Sequence, residues 1–150
     1  MSPNDLAPIP VANPKAGIKT QSSEILRAVE AVIESGQYIL GPQVERFEEA
    51  WAAQCHSQYA VGVSSGTDAL ALALSAAGVQ AGDEVIVPAM TALATWTAVS
   101  QIGAIPIGAD IESEGFCIDP DRVARKITDR TRAIVVVHLF GHVAAVNQLA

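Results

Sequence analysis

The chain has 150 residues, is half hydrophobic, and carries a formal charge of −7 from 9 Lys plus Arg against 16 Asp plus Glu. That balance argues against nucleic acid as a partner, and the hydrophobic fraction excludes the low-hydropathy, high-charge class of disordered chains. The apolar residues are small, with 26 alanines against three Phe, two Trp and two Tyr, which favours close helix-on-sheet packing over an aromatic-rich β sandwich.

Residues 1–20 carry Pro3, Pro8, Pro10, Pro14 and Gly17, a spacing that reads as an extended arm. Residues 21–56 read as two helices. Ser22 or Ser23 is placed to cap the first, in which Ile25, Leu26, Val29, Val32 and Ile33 recur at helical spacing before Gly36. Gly41-Pro42 makes a turn, Pro42 suits the first position of the second helix, and Val44, Phe47 and Trp51 form its apolar stripe, which ends near Gln54 to His56.

From residue 57 short β-type runs alternate with helical ones. Tyr59 to Val63, Glu84 to Val87, Ile105 to Ala109 and Arg132 to Leu139 read as strands. Thr67 to Ala77, Ala92 to Ile102, Pro120 to Lys126 and Val143 to Ala150 read as helices. Runs such as Ile134-Val135-Val136-Val137, apolar without a polar alternate, are typical of strands covered on both faces. The expected fold class is therefore α/β, a mainly parallel sheet flanked by helices, and the last helix is expected to be cut mid-domain.

No apolar run approaches the ~20 residues of a membrane span, and the first residues lack the pattern of a secretory signal. A soluble cytoplasmic protein without a membrane partner is expected. Cys55 and Cys117 form no metal-type pair and read as buried thiols. His138 and His142 are separated by Gly141 and have no third ligand nearby, so no metal site is expected. His56 and the acidic run Asp110, Glu112 and Glu114 read as solvated.

The chemistry concentrates in Val63-Ser64-Ser65-Gly66-Thr67-Asp68. A strand gives way to a helix through two hydroxyls and a glycine, which aims free backbone N–H groups and the positive end of the helix dipole at one spot. A phosphate suits that spot, with Gly66 allowing close approach and Ser65 and Thr67 able to donate hydroxyl protons. Plain N-capping by Ser65 is the alternative. Neither a G-x-x-x-x-G-K-[ST] loop nor a G-x-G-x-x-G turn is present, so a smaller cofactor than ATP or a dinucleotide is indicated.

Four blocks then carry a family resemblance: Gly41-Pro42 with Val44 and Phe47-Glu48; Ser64 to Leu70; Gly82-Asp83-Glu84-Val85-Ile86-Val87-Pro88; and Val137-His138-Leu139-Phe140-Gly141. In this order, with Gly103-Ala104-Ile105-Pro106, the sequence resembles the DegT/StrS-type sugar aminotransferases, pyridoxal 5'-phosphate enzymes of the type I aspartate aminotransferase fold. The resemblance implies that Ser65, Gly66 and Thr67 hold the cofactor phosphate. It puts Ala92 where the family has a ring-stacking aromatic; Trp96, one helical turn on, is the candidate substitute, with burial against the sheet as its other reading. His138, at the carboxyl end of a strand, and Tyr38, in the turn before Gly41, are candidates for the substrate side. Phe140 stands where the family usually has tyrosine, and Val143-Ala144-Ala145 where it often has an acidic residue.

Transamination needs a lysine amine and an acidic residue at the pyridine nitrogen. The chain has Lys15, Lys19 and Lys126, all of which read as surface residues, so no catalytic residue is assigned. Residues 57–150 are expected to be an incomplete cofactor-binding large domain, ending before the lysine region and inactive alone. The implied reaction transfers an amino group from glutamate or glutamine to a nucleotide-linked keto sugar, in a homodimer. A sugar dehydratase of the same family and a non-catalytic ligand-binding relic are the alternatives.

Overall fold

The computed structural model describes residues 12, 13 and 15–150, with the backbone alone at Ala16 and Lys19. The chain divides into two compact units, Met1–Gly62 and Val63–Ala150.

In the first unit, helix α1 spans Lys15–Ser35 and α2 spans Pro42–Gln54. The extended arm expected through residue 20 is thus helical from Lys15 onward. No proline follows Pro14 in this stretch, and Gly17 inside a long helix costs only about 1 kcal/mol. The rest of the proposed arm, residues 1–11 and 14, lies outside the described residues. Pro42 opens α2 as expected, where its missing N–H is no loss. Phe47 and Trp51, four residues apart on α2, stack with ring centroids 5.9 Å apart. The strand expected over Tyr59 to Val63 does not form. These residues have no ladder partner among the described residues, and the Gly62 N–H donates instead to the Glu48 carboxylate at 2.6 Å.

The second unit is built on a three-stranded parallel sheet of order β2-β1-β3, with β1 at Glu84–Pro88, β2 at Ile105–Ala109 and β3 at Thr131–Ile134. Helices α3 (Gly66–Ala76) and α4 (Leu93–Gln101) cover one face, and α5 (Pro120–Ala124) belongs to the other. Every residue of β1 is buried, which accounts for its lack of polar alternation. Val85 and Val87 pack with Leu74 of α3 and Val99 of α4, while Ile86, pointing the other way, packs with Ile118 and with Val123 of α5.

β3 is shorter than the sequence suggests. The Val135 N–H still donates to the Ile86 carbonyl at 2.8 Å, but the ladder goes no further, and Pro88 at the end of β1 has no N–H to donate. Past that point the chain turns through a 3-10 segment, Leu139–Gly141, in which Phe140 is left-handed at φ 52°. The helix expected over Val143 to Ala150 reduces to a 3-10 turn at Val146–Gln148. It has no side-chain cap, and although Ala144 is buried and Leu149 packs against the Ile86 side of the core, Val143 and Val146 stay exposed, too little apolar contact to hold an eight-residue helix.

Candidate functional site

The topology decides where the glycine turn lies. α3 joins β1 through the short loop 77–83 and packs on the sheet through Leu74, so it runs antiparallel to β1. Its 11 residues span about 16 Å, close to the length of five strand residues. The start of α3 is therefore brought back to the carboxyl edge of the sheet. α4, leaving β1 at that edge, starts there too. Open parallel sheets place their ligands along this edge.

Ser65 is the N-cap of α3, in an extended conformation at φ −156° and ψ 162°. Its Oγ accepts the Asp68 N–H at 3.2 Å and donates to Asp68 Oδ2 at 2.9 Å. The Ser64 hydroxyl donates to the same carboxylate oxygen. These two hydroxyls hold the Asp68 carboxyl below its ordinary range. The Ser65 hydroxyl proton is thus directed to Asp68, the arrangement of the N-capping alternative. By contrast, among the described residues nothing accepts the N–H of Gly66 or Thr67, and no heavy atom stands within 4 Å of where a Gly66 β-carbon would lie. Two free donors and an open approach at a helix start fit a phosphate monoester.

Ala92 is the N-cap of α4, exposed and without a side-chain cap, so it presents no ring. Trp96 does not supply one either: its indole packs over Gly108 of β2, Cη2 lying 3.0 Å from the position a β-carbon would take, and joins the Val85–Val87 side of the core. Helix-on-sheet packing, the second of its two sequence readings, accounts for it. His138 lies past β3 at the carboxyl edge, exposed, with Nδ1 accepting the Ala144 N–H at 3.1 Å. Tyr38 belongs to the first unit, where its hydroxyl donates to the Ile33 carbonyl at 3.1 Å. Cys117 is buried as expected, but Cys55 is exposed. Lys15 and Lys126 are exposed. Sequence reasoning missed Asp68 as a member of the turn, although its spacing of three from Ser65 is the signal of a capping box. No helix among the described residues is long and apolar enough to cross a membrane.

Solved structures share this fold. The chain superimposes on the Streptomyces venezuelae enzyme DesV in complex with a ketimine intermediate with a TM-score of 0.88 at 45% identity, covering 94% of this chain and 38% of that one. It matches a Bacillus subtilis protein with bound cofactor PMP with a TM-score of 0.85 at 33% identity, covering 99% and 34%. Among curated relatives, it is 45% identical over 141 residues to dTDP-3-amino-3,4,6-trideoxy-alpha-D-glucose transaminase of Streptomyces venezuelae, 94% of this chain and 37% of the relative. It is also 42% identical over 118 residues to 3-oxo-glucose-6-phosphate:glutamate aminotransferase of Bacillus subtilis, 79% and 27%. The chain thus spans well under half the length of these relatives.

The parallel sheet, flanked by helices that start at its carboxyl edge, has the type I fold of pyridoxal phosphate-dependent aminotransferases. The chain belongs to the DegT/DnrJ/EryC1/StrS aminotransferase family, whose model matches residues 19–150.

Proposed function

We propose that the chain is the N-terminal portion of a pyridoxal 5'-phosphate-dependent aminotransferase. The reaction is amino transfer from glutamate or glutamine to a nucleotide-linked keto sugar, in a cytoplasmic homodimer. The observation that carries this reading is the pair of unengaged N–H groups at Gly66 and Thr67, set at the start of α3 on the carboxyl edge. Relatives named as sugar transaminases support the substrate class. The unpaired thiols of Cys55 and Cys117 accord with a reducing compartment.

When bound, the cofactor supplies an electron sink for charge that develops on the substrate carbon. The chain's own part is to anchor and orient it. The Gly66 and Thr67 N–H groups and the Thr67 hydroxyl donate to the phosphate, and the dipole of α3 favours its negative charge. Ala92 leaves the ring without an aromatic platform from this position. His138, with Nδ1 engaged by Ala144, is held at the same edge for the substrate side. Lys126 follows α5 and leads into the amino end of β3, away from the carboxyl edge, and in this reading the chain alone is inactive.

Titration with pyridoxamine 5'-phosphate, which forms no Schiff base with surface lysines, tests the anchor. The wild-type chain is expected to bind it and to ignore pyridoxamine. Thr67→Val should weaken binding by about tenfold, the loss of one charge-assisted hydrogen bond. Equal affinity of both variants for both compounds would overturn the reading.

A further inference from the structure

Asp68 puts a negative charge inside the first turn of a helix whose start is read as an anion site. An ionised carboxylate there opposes a bound phosphate, so its presence calls for a local reason. The hydrogen bonds give one. Asp68 Oδ2 collects the hydroxyl protons of both Ser64 and Ser65, while the Asp68 N–H donates back to Ser65 Oγ at 3.2 Å. The Ser65 carbonyl accepts the Ala69 N–H at 3.0 Å. Ser64 and Ser65 are thus tied to the helix by side-chain and main-chain bonds. Gly66 and Thr67, between them and Asp68, have no acceptor for their N–H groups.

We propose that Asp68 is the positioning residue of the phosphate turn. Its carboxylate takes the Ser64 and Ser65 hydroxyls, fixes the extended-to-helical bend at Ser65, and leaves the anion to the Gly66 and Thr67 N–H groups and the Thr67 hydroxyl. This rests on the cofactor reading above and deepens it: the serines shape the cradle, and Asp68 holds them at a cost in anion affinity.

Two substitutions separate hold from charge. Asp68→Asn keeps an oxygen acceptor and removes the charge; Asp68→Ala removes both. Amide resonances of Gly66 and Thr67 in the 15N-labelled chain report the turn without ligand, and titrations with pyridoxamine 5'-phosphate and with inorganic phosphate report the cradle. Asp68→Asn is expected to leave the amides near their wild-type positions and to bind both ligands about threefold more tightly at low salt, an advantage that fades as salt is added. Asp68→Ala is expected to displace both amides and to bind about tenfold more weakly, although it too has lost the charge. Unmoved amides in Asp68→Ala, or affinity changes of the same sign in both variants, would overturn the proposal. A wild-type chain that ignores both ligands while Asp68→Ala still displaces the amides would overturn the cofactor reading and leave the hold on the turn standing.

Discussion

The six-membered ring of Trp96 lies over the bare α-carbon of Gly108, its Cη2 3.0 Å from where a β-carbon would stand. The pairing fits a bulky side chain between α4 and an edge strand, and it makes the two positions depend on each other.

Trp96→Ala leaves a gap on a half-buried ring and is expected to cost about 2 kcal/mol, below the 3–5 of a fully buried tryptophan. Gly108→Ala forces the ring aside and should cost about 1–3 kcal/mol. The double variant should be less destabilised than the sum, because the new methyl group enters the gap. Urea unfolding of the four proteins measures the coupling, and strict additivity would place the ring elsewhere.

Glu84, only 3% exposed at the start of β1, accepts from the Thr128 hydroxyl at 2.6 Å and from the Arg130 Nε at 2.9 Å. The Thr128 hydroxyl bond, then those from Arg130, hold its carboxyl below the ordinary value of 4.5. A lowered folded-state value means that the stabilisation is complete above that ordinary value and is lost as pH falls through the lowered one. The urea midpoint of the wild type should therefore exceed that of Glu84→Gln at neutral pH and converge on it in acid. A gap that widens in acid would contradict this assignment.

Ser65 caps α3, so Ser65→Ala is expected to destabilise the chain by about 1 kcal/mol, and Ser65→Gly by only a few tenths. Thermal unfolding followed at 222 nm distinguishes them. A Ser65→Ala variant as stable as the wild type would mean that the capping hydroxyl adds nothing.

Gly103 has φ +75°, and a β-carbon there would stand 3.0 Å from that of Ala81. Left-handed backbone and a close neighbour act together, so Gly103→Ala should cost about 2 kcal/mol. A neutral result in urea unfolding would show that the turn rearranges.

Much of this was readable from the residues. Pro42 opens α2, the unbroken apolar run of β1 is buried throughout, and the hydroxyl-glycine turn begins α3 where its cap chemistry put it. These signals are local, since each depends on what one stretch of backbone prefers or must bury. The misreadings share the opposite cause. Tyr59 to Val63 has strand composition and no ladder partner among the described residues, and Val143 to Ala150 has helical composition but leaves Val143 and Val146 exposed, with Leu149 only partly covered by the core.

By itself the sequence determined the alternation of strands and helices, the family, and the residue types at the anion turn, because periodicity, capping and motif order are written along the chain. Only the tertiary structure decided that β1 is the central strand, that Trp96 belongs to the core, and which donors at the turn stay free. Those outcomes depend on which distant groups meet, and a hydrogen bond or a packed ring is settled by its partner as much as by itself.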